Sequence, residues 1–291
     1  MRQIELKALA KINLGLDVLG RRENGYHDVR MVMQSVYLYD DVKIEKKTVP
    51  GIELSSNLYF LPTDEGNIAY KAAKILIEEF EIEEGVRITL NKHIPVAAGM
   101  AGGSSNAAAV LFGMNRLFGL GLSQKELMKR GVKLGADVPY CIMRGTVLAE
   151  GIGEELQVLS AMPKCTVLIA KPPISVSTKV VYEALDSSDI AEHPDIDGLI
   201  EALEQGCLKD IASRMGNVLE DVTVPMHPVI EELKQTMKAC GALNAMMSGS
   251  GPTVFGLFEN KMAARIAQNR IRENGLAKQV YVTNIHNARR D

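Results

Sequence analysis

The chain has 291 residues, 46% of them hydrophobic and 24% charged, enough for one large or two ordinary domains with a well-buried core. Lys plus Arg (33) nearly balances Asp plus Glu (36), and the short basic patches Arg21-Arg22, Lys46-Lys47 and Arg289-Arg290 read as solvated turns and a tail, so the electrostatic footprint of a nucleic-acid-binding protein is missing. The start of the chain lacks the layout of a signal peptide, no run approaches the ~20 apolar residues of a membrane span, and the four cysteines form no C-x-x-C pair, so a cytoplasmic protein with reduced thiols is expected.

Residues 4–18 alternate, with Ile4, Leu6, Ala8, Ala10, Ile12, Leu14, Leu16 and Val18 on one side and Lys11, Asn13 and Asp17 on the other. Period two predicts a half-buried strand, or a bent pair, with Lys11 and Asn13 sharing a polar face. Asn24-Gly25 marks a turn before Tyr26 and His27. A strand near 35–45 follows. Asn67 then caps a helix carrying Ile68, Ala72, Ile75 and Phe80. Val86, Ile88 and Leu90 alternate in a strand leading to Ile94-Pro95. After the glycine-rich loop 98–106, an apolar stripe from Ala107 to Phe118 predicts a helix, and Ser123 with Glu126 predicts a capping box on the next, which ends near Gly135. Asp137-Val138-Pro139 reads as a further helix start.

Glycine punctuation over 145–153 marks a domain boundary. Beyond it the pattern predicts strands at 166–170, 242–247, through Phe258 and at 279–285. Helices are expected at 177–185, near 196–216, at 228–239 and at 260–273. A second glycine turn, Ser248-Gly249-Ser250-Gly251-Pro252, lies among them. Strands and helices mix without regular alternation, so the fold class expected is α+β in two domains, 1–155 and 156–291.

The segment Ala98-Gly99-Met100-Ala101-Gly102-Gly103-Ser104-Ser105 carries the clearest chemical signal. Glycines allow left-handed backbone and close approach, so that successive N–H groups converge on an anion, and a following helix adds its own unpaired N–H groups. A capped glycine turn is the bland alternative; the loop's length, its strand–loop–helix context and its two serines favour a nucleotide triphosphate. No Walker A, dinucleotide or protein-kinase motif occurs. Asp137 alone reads first as a helix cap and Lys11 as a strand lysine. Together they suit phosphoryl transfer, in which a carboxylate orients or deprotonates the attacking hydroxyl and an ammonium stabilises developing charge.

Three blocks, Ala10-Lys11-Ile12-Asn13-Leu14, Pro95 to Ala109 and Ser248-Gly249-Ser250-Gly251-Pro252-Thr253, resemble those of the GHMP kinases in order and spacing. Asn24-Gly25-Tyr26-His27 and Gly135-Ala136-Asp137-Val138-Pro139 extend the resemblance to the branch acting on 4-diphosphocytidyl-2-C-methyl-D-erythritol in non-mevalonate isoprenoid synthesis. The resemblance implies a GHMP kinase fold, with a ribosomal protein S5 domain 2-like N-terminal domain holding ATP and a ferredoxin-like C-terminal domain. It implies transfer of the ATP γ-phosphate to the substrate's C2 hydroxyl, by a monomer or homodimer with no nucleic-acid or membrane partner. Lys11 and Asp137 match the catalytic pair. Pro95, Val96, Ala97, Ala98, Gly99, Met100, Ala101, Gly102, Gly103, Ser104 and Ser105 match the phosphate loop, and Asn67 and Lys92 the adenine side. Asn13, Tyr26, His27, Asp137, Thr178 and Tyr182 match the cytidyl-substrate contacts. Tyr182 alone reads equally as a helix residue packing on the core. Mg²⁺ is implied, held by nucleotide oxygens, Ser105 and water. Ala101 stands where some relatives carry glycine, so the backbone there is expected to suit alanine; Asn106, where many carry Asp, is not expected to ligate metal.

Overall fold

The computed structural model describes residues 1–187 and 192–288; Arg289 and Arg290 lie outside them. The chain folds as two compact units interleaved in sequence, one of Met1–Ala10, Leu38–Val96 and Ala101–Met143, the other of Lys11–Tyr37, Ala97–Met100 and Arg144–Asp291. Two long strands, β1 (Gln3–Arg21) and β2 (His27–Lys47), contribute residues to both.

In the first unit β4 (Gly85–Asn91) runs parallel to β3 (Ile52–Ser56), Ile52 facing Val86, and antiparallel to the end of β2, Val42 facing Leu90. The alternation of Val86, Ile88 and Leu90, all buried, fixes the face on which α1 (Ile68–Glu79) and α2 (Gly102–Phe118) pack. Asn67 caps α1 as expected, its side chain accepting from the Ala69 N–H at 3.0 Å. The capping box on α3 (Gln124–Val132) is complete in both directions. α4 (Asp137–Met143) packs on both α2 and α3.

In the second unit the residues Met31–Gln34 of β2 pair with β5 (Thr146–Glu150), which folds back as a hairpin onto β6 (Glu155–Val158). Gly15 and Leu16 of β1 pair in parallel with β8 (Gly216–Asn217). A separate antiparallel sheet has the order β11 (Gln279–Asn284), β7 (Thr166–Lys171), β10 (Val254–Phe258), β9 (Asn244–Met247). α9 (Val229–Ala239) precedes β9 and α10 (Lys261–Glu273) links β10 to β11, the split β-α-β pattern of a ferredoxin-like fold. β10 lies between β7 and β9, so all five of its residues are buried, and burial of Phe255 and Phe258 stabilises the sheet by about 2–3 kcal/mol each.

Three expectations change. The 4–18 segment is one strand, buried on both faces from Ala8 to Val18, because its polar residues are covered rather than solvated. α2 begins at Gly102, not Ala107, so both serines lie in its first turn. In the second half α5 (Thr178–Leu185), α6 (Ile196–Gln205) and α7 (Leu208–Ser213) fall where helices were expected, and a further helix, Glu220–Met226 with Pro225 inside it, was not among the expected elements.

Candidate active site

In the first unit the chemistry gathers at the N-termini of α2 and α4. The residue before α2, Ala101, has φ 54° and ψ 31° and provides no side-chain cap. Ser105 N–H donates to the Ala101 carbonyl (2.8 Å), and the N–H groups of Gly102, Gly103 and Ser104 have no backbone partner among the described residues. Such amides and the positive pole of a 17-residue helix are chemically suited to an anion. The left-handed Ala101 departs from the expectation that the backbone there suits alanine; such a residue costs roughly 1–2 kcal/mol. A Cβ on Gly102 would lie 3.1 Å from Ile94 Cγ2 and 3.4 Å from Lys92 Nζ, so glycine lets the strand end approach the helix start.

Pro95 is buried and Val96 half-buried in the approach to the loop. Ser105 is buried and donates its hydroxyl hydrogen to the Leu9 carbonyl at 2.7 Å. Ser104 is half-buried, its Oγ 4.0 Å from the point a Cβ on Gly135 would occupy, which sets it beside the turn leading to Asp137. Asp137 opens α4, half-buried, and its carboxylate has no hydrogen-bond or ion-pair partner among the described residues. Asn67 spends its side chain on the Ala69 N–H and the Pro62 carbonyl (2.9 Å).

Lys92 enters a buried network. Its Nζ donates to Asp40 Oδ2 and to Asn106 Oδ1 (2.7 Å), and Asn106 Nδ2 donates to Asp40 Oδ2 (2.9 Å). Asp40, fully buried, also accepts from the His93 and Ile94 N–H groups at 2.7 and 2.8 Å. Asp40 has no motif around it and was not legible in the sequence.

In the second unit Lys11 is buried, donates to Asn13 Oδ1 at 2.6 Å and forms no ion pair among the described residues. Asn13, fully buried, turns its amide toward Met31 Sδ (3.4 Å). The Lys11 N–H donates to the Met100 carbonyl at 3.2 Å, tying β1 to the glycine loop. Ala97 has φ 50°, Ala98 is buried, and Gly99 at φ 69° abuts the second glycine turn. Ser248 Oγ donates to the Gly99 carbonyl at 2.9 Å, and a Cβ on Gly99 would lie 2.0 Å from the Ser248 carbonyl oxygen. Asn217 holds that turn by donating to the Met247 and Gly249 carbonyls (2.9 and 2.8 Å). Thr178, at the start of α5, shares a hydrogen with Ser250 Oγ at 2.8 Å. Burial lowers the pKa of Lys171, which donates to the Pro172 and Ile174 carbonyls and so shapes the approach to α5.

A second cluster in this unit surrounds His27. Its ring lies 4.7 Å from that of Tyr182, tilted by 44°, and its Nε2 is 2.7 Å from Asp186 Oδ1. Tyr26 is 59% exposed and makes no ring contact among the described residues. The structure thus joins His27 to Tyr182, Lys11 to Asn13, and the glycine loop to the 248–252 turn. Lys11 and Asp137 belong to different units.

The family model described as GHMP kinases N terminal domain matches residues 67–145, and that for GHMP kinases C terminal matches 199–277. The 4-diphosphocytidyl-2-C-methyl-D-erythritol kinase of Lachnospira eligens is 58% identical over 97% of this chain and 98% of its own length. The chain belongs to the GHMP kinases. Within them it falls in the 4-diphosphocytidyl-2-C-methyl-D-erythritol kinase family, whose Lachnoclostridium phytofermentans member is 56% identical over 96% of each chain. A crystal structure of a 4-(cytidine 5'-diphospho)-2C-methyl-D-erythritol kinase superposes with a TM-score of 0.84 at 32% identity, covering 98% of this chain and all of the other. A homoserine kinase from Cytophaga hutchinsonii, 22% identical over 98% of this chain and 95% of its own at a TM-score of 0.78, shares the fold. Like other GHMP kinases, this chain is an ATP-dependent kinase of two domains with a small-molecule substrate.

Proposed function

We propose that this chain transfers the γ-phosphate of ATP to the C2 hydroxyl of 4-diphosphocytidyl-2-C-methyl-D-erythritol, forming the 2-phosphate and ADP in isoprenoid synthesis. One observation carries the catalytic part. Lys11 is buried without a carboxylate partner and Asp137 is a carboxylate without a donor, among the described residues. A buried cation needs compensating charge, and a negatively charged ligand would supply it.

In this reading the free amides of Gly102, Gly103 and Ser104 hold the ATP phosphates, with the loop from Pro95 to Ser105 closing round them. Asn67 and Lys92 border the adenine side. Asp137 takes the proton of the attacking hydroxyl, and Lys11 steadies charge on the transferring phosphoryl group. Asn13 and Thr178 contact the sugar alcohol. Tyr26, His27 and Tyr182 hold the cytosine; the His27–Tyr182 ring pair supports this, since base stacking contributes about 1–3 kcal/mol per base.

Mg²⁺ fits this donor set only as a lightly held ion. The described residues contain no group of three or more His, Cys, Asp or Glu side chains able to hold a metal. Ser105 Oγ gives away its hydrogen but keeps lone pairs for one contact, leaving the rest to phosphate oxygens and water. When bound, Mg²⁺ offsets phosphate charge.

The division into 1–155 and 156–291 is the functional one in this reading, supported by the two family matches lying on either side of it. Among the described residues no helix is long and apolar enough to cross a membrane. A cytoplasmic monomer or homodimer without nucleic-acid partners completes the proposal. An ADP-release assay with the cytidyl substrate, mevalonate and homoserine tests it. Turnover of mevalonate or homoserine but not of the cytidyl substrate would sink it.

A further inference from the structure

Asp186 follows α5 as its C-terminal cap residue, one turn beyond Tyr182. Its Oδ1 lies 2.7 Å from His27 Nε2, and its Oδ2 lies 3.3 Å from Arg21 Nη1. A carboxylate beside a guanidinium is an acceptor only, so the imidazole nitrogen facing it must carry the hydrogen. In the neutral ring the other nitrogen, Nδ1, is then a bare acceptor. Nδ1 has no hydrogen-bond partner among the described residues. The His27 side chain is 9% exposed, gripped at one edge by Asp186 and packed against Tyr182. Turning the ring over would break the 2.7 Å bond and set a carbon against the carboxylate.

We infer that Asp186 is a positioning residue that sets base specificity. By holding Nε2–H it keeps His27 in one tautomer and one orientation, with Nδ1 presented as an acceptor to the exocyclic amino group of cytosine. A uracil ring carries a carbonyl oxygen at that position and would meet Nδ1 lone pair to lone pair, leaving both acceptors unpaired. Free imidazole already leans toward the Nε2–H tautomer, so the larger part of the effect is the orientation. This inference rests on the cytidyl reading of the substrate and adds to it the residue that separates cytosine from uracil.

The test has two parts. In ¹⁵N-histidine-labelled wild-type enzyme, His27 is expected to show a protonated Nε2 and an unprotonated Nδ1; a protonated Nδ1 overturns the inference without any variant. In the second part Asp186→Ala is compared with wild type on the cytidyl substrate and its uridyl counterpart. The variant is expected to raise KM for the cytidyl substrate about fivefold and to cut the cytidyl-over-uridyl preference in kcat/KM about tenfold. Both kcat and the KM for ATP are expected to stay within about twofold. A wild-type enzyme that prefers the cytidyl substrate, with a variant that keeps the same preference, overturns the role of Asp186 alone. A wild-type enzyme that turns over neither substrate overturns the functional reading and this inference with it.

Discussion

Replacing Gly99 by alanine isolates the contact between the glycine loop and the 248–252 turn. The backbone there has φ +69°, and the left-handed region costs an L-residue roughly 1–2 kcal/mol, of which about 0.4–1 kcal/mol is recovered from the stiffer unfolded chain. That part is shared with Gly119, the αL cap of α2, at φ +66° with nothing within 4 Å of an added Cβ. At Gly99 the new methyl would sit 2.0 Å from the Ser248 carbonyl oxygen and 3.3 Å from that of Gly251. Ser248 would have to retreat by more than an ångström, straining the Gly251 N–H to Ser248 O bond (3.0 Å) and the Ser248 Oγ–H to Gly99 O bond (2.9 Å). Two such bonds contribute about 0.5–1.5 kcal/mol each, and overpacking adds about 1–3 kcal/mol. Gly99→Ala is therefore expected to cost about 3–5 kcal/mol and Gly119→Ala about 1 kcal/mol. At about 2–4 °C per kcal/mol the first should melt roughly 5–12 °C below the second by circular dichroism. Turnover should also drop in Gly99→Ala well below its Tm, since the displaced turn adjoins Lys11: a Cβ on Gly249 would lie 3.6 Å from Lys11 Nζ. Melting temperatures within about 2 °C of each other would refute the argument that this contact, and not conformational freedom, requires the glycine.

Three other outcomes are expected. Asp137→Asn should lower kcat by about 10²-fold or more while a fluorescent ATP analogue binds as before; near-normal turnover removes Asp137 from proton transfer. Tyr26→Ala should raise KM for the cytidyl substrate by about 1–3 kcal/mol's worth, with KM for ATP within about twofold; equal rises in both would speak against stacking on the base. Arg130 Nε donates to Glu79 Oε2 at 2.8 Å, and this hydrogen bond holds the Glu79 carboxyl below its ordinary range. A lowered acid pKa gives stability that is present above the unfolded value and lost as pH falls through the folded one. Because the Glu79 side chain is 43% exposed, solvent screens the pair and Arg130→Gln should cost no more than about 1 kcal/mol at neutral pH. Its melting curve should converge on wild type as the medium is acidified, and a gap that widens in acid would contradict the pairing.

What was legible in the sequence was local. The Asn67 cap and the Ser123–Glu126 box are decided within a few residues, and each is present as expected. The start of α2 was not, because Gly102 and Gly103 are poor helix formers on propensity. What makes glycine the right residue at 102 is the approach of Ile94 and Lys92 from a strand end some ten residues earlier, a tertiary fact. The polar side of β1 was misread for a related reason. Alternation gives the period of the side chains but not what covers them, and Lys11, Asn13 and Asp17 are all buried.

The Asp40–Lys92–Asn106 network shows how far this limit reaches into the candidate site. Lys92 stood out by its resemblance to an adenine-side residue, yet its ammonium is engaged by a carboxylate 52 positions away on another strand. Asp40 accepts from two backbone N–H groups at the strand end, from Asn106 inside α2 and from Lys92, so one side chain joins the approach to the loop with the helix behind it. A fully buried carboxylate is tolerable only with such complete pairing, and loss of one partner leaves a charge that costs about 3–5 kcal/mol. In the proposed reading, a phosphate at the start of α2 would therefore meet no unpaired charge from Asp40. Four donors converging on Asp40 hold the loop's two ends in register, and none of that convergence is visible from Tyr39-Asp40-Asp41 read along the chain.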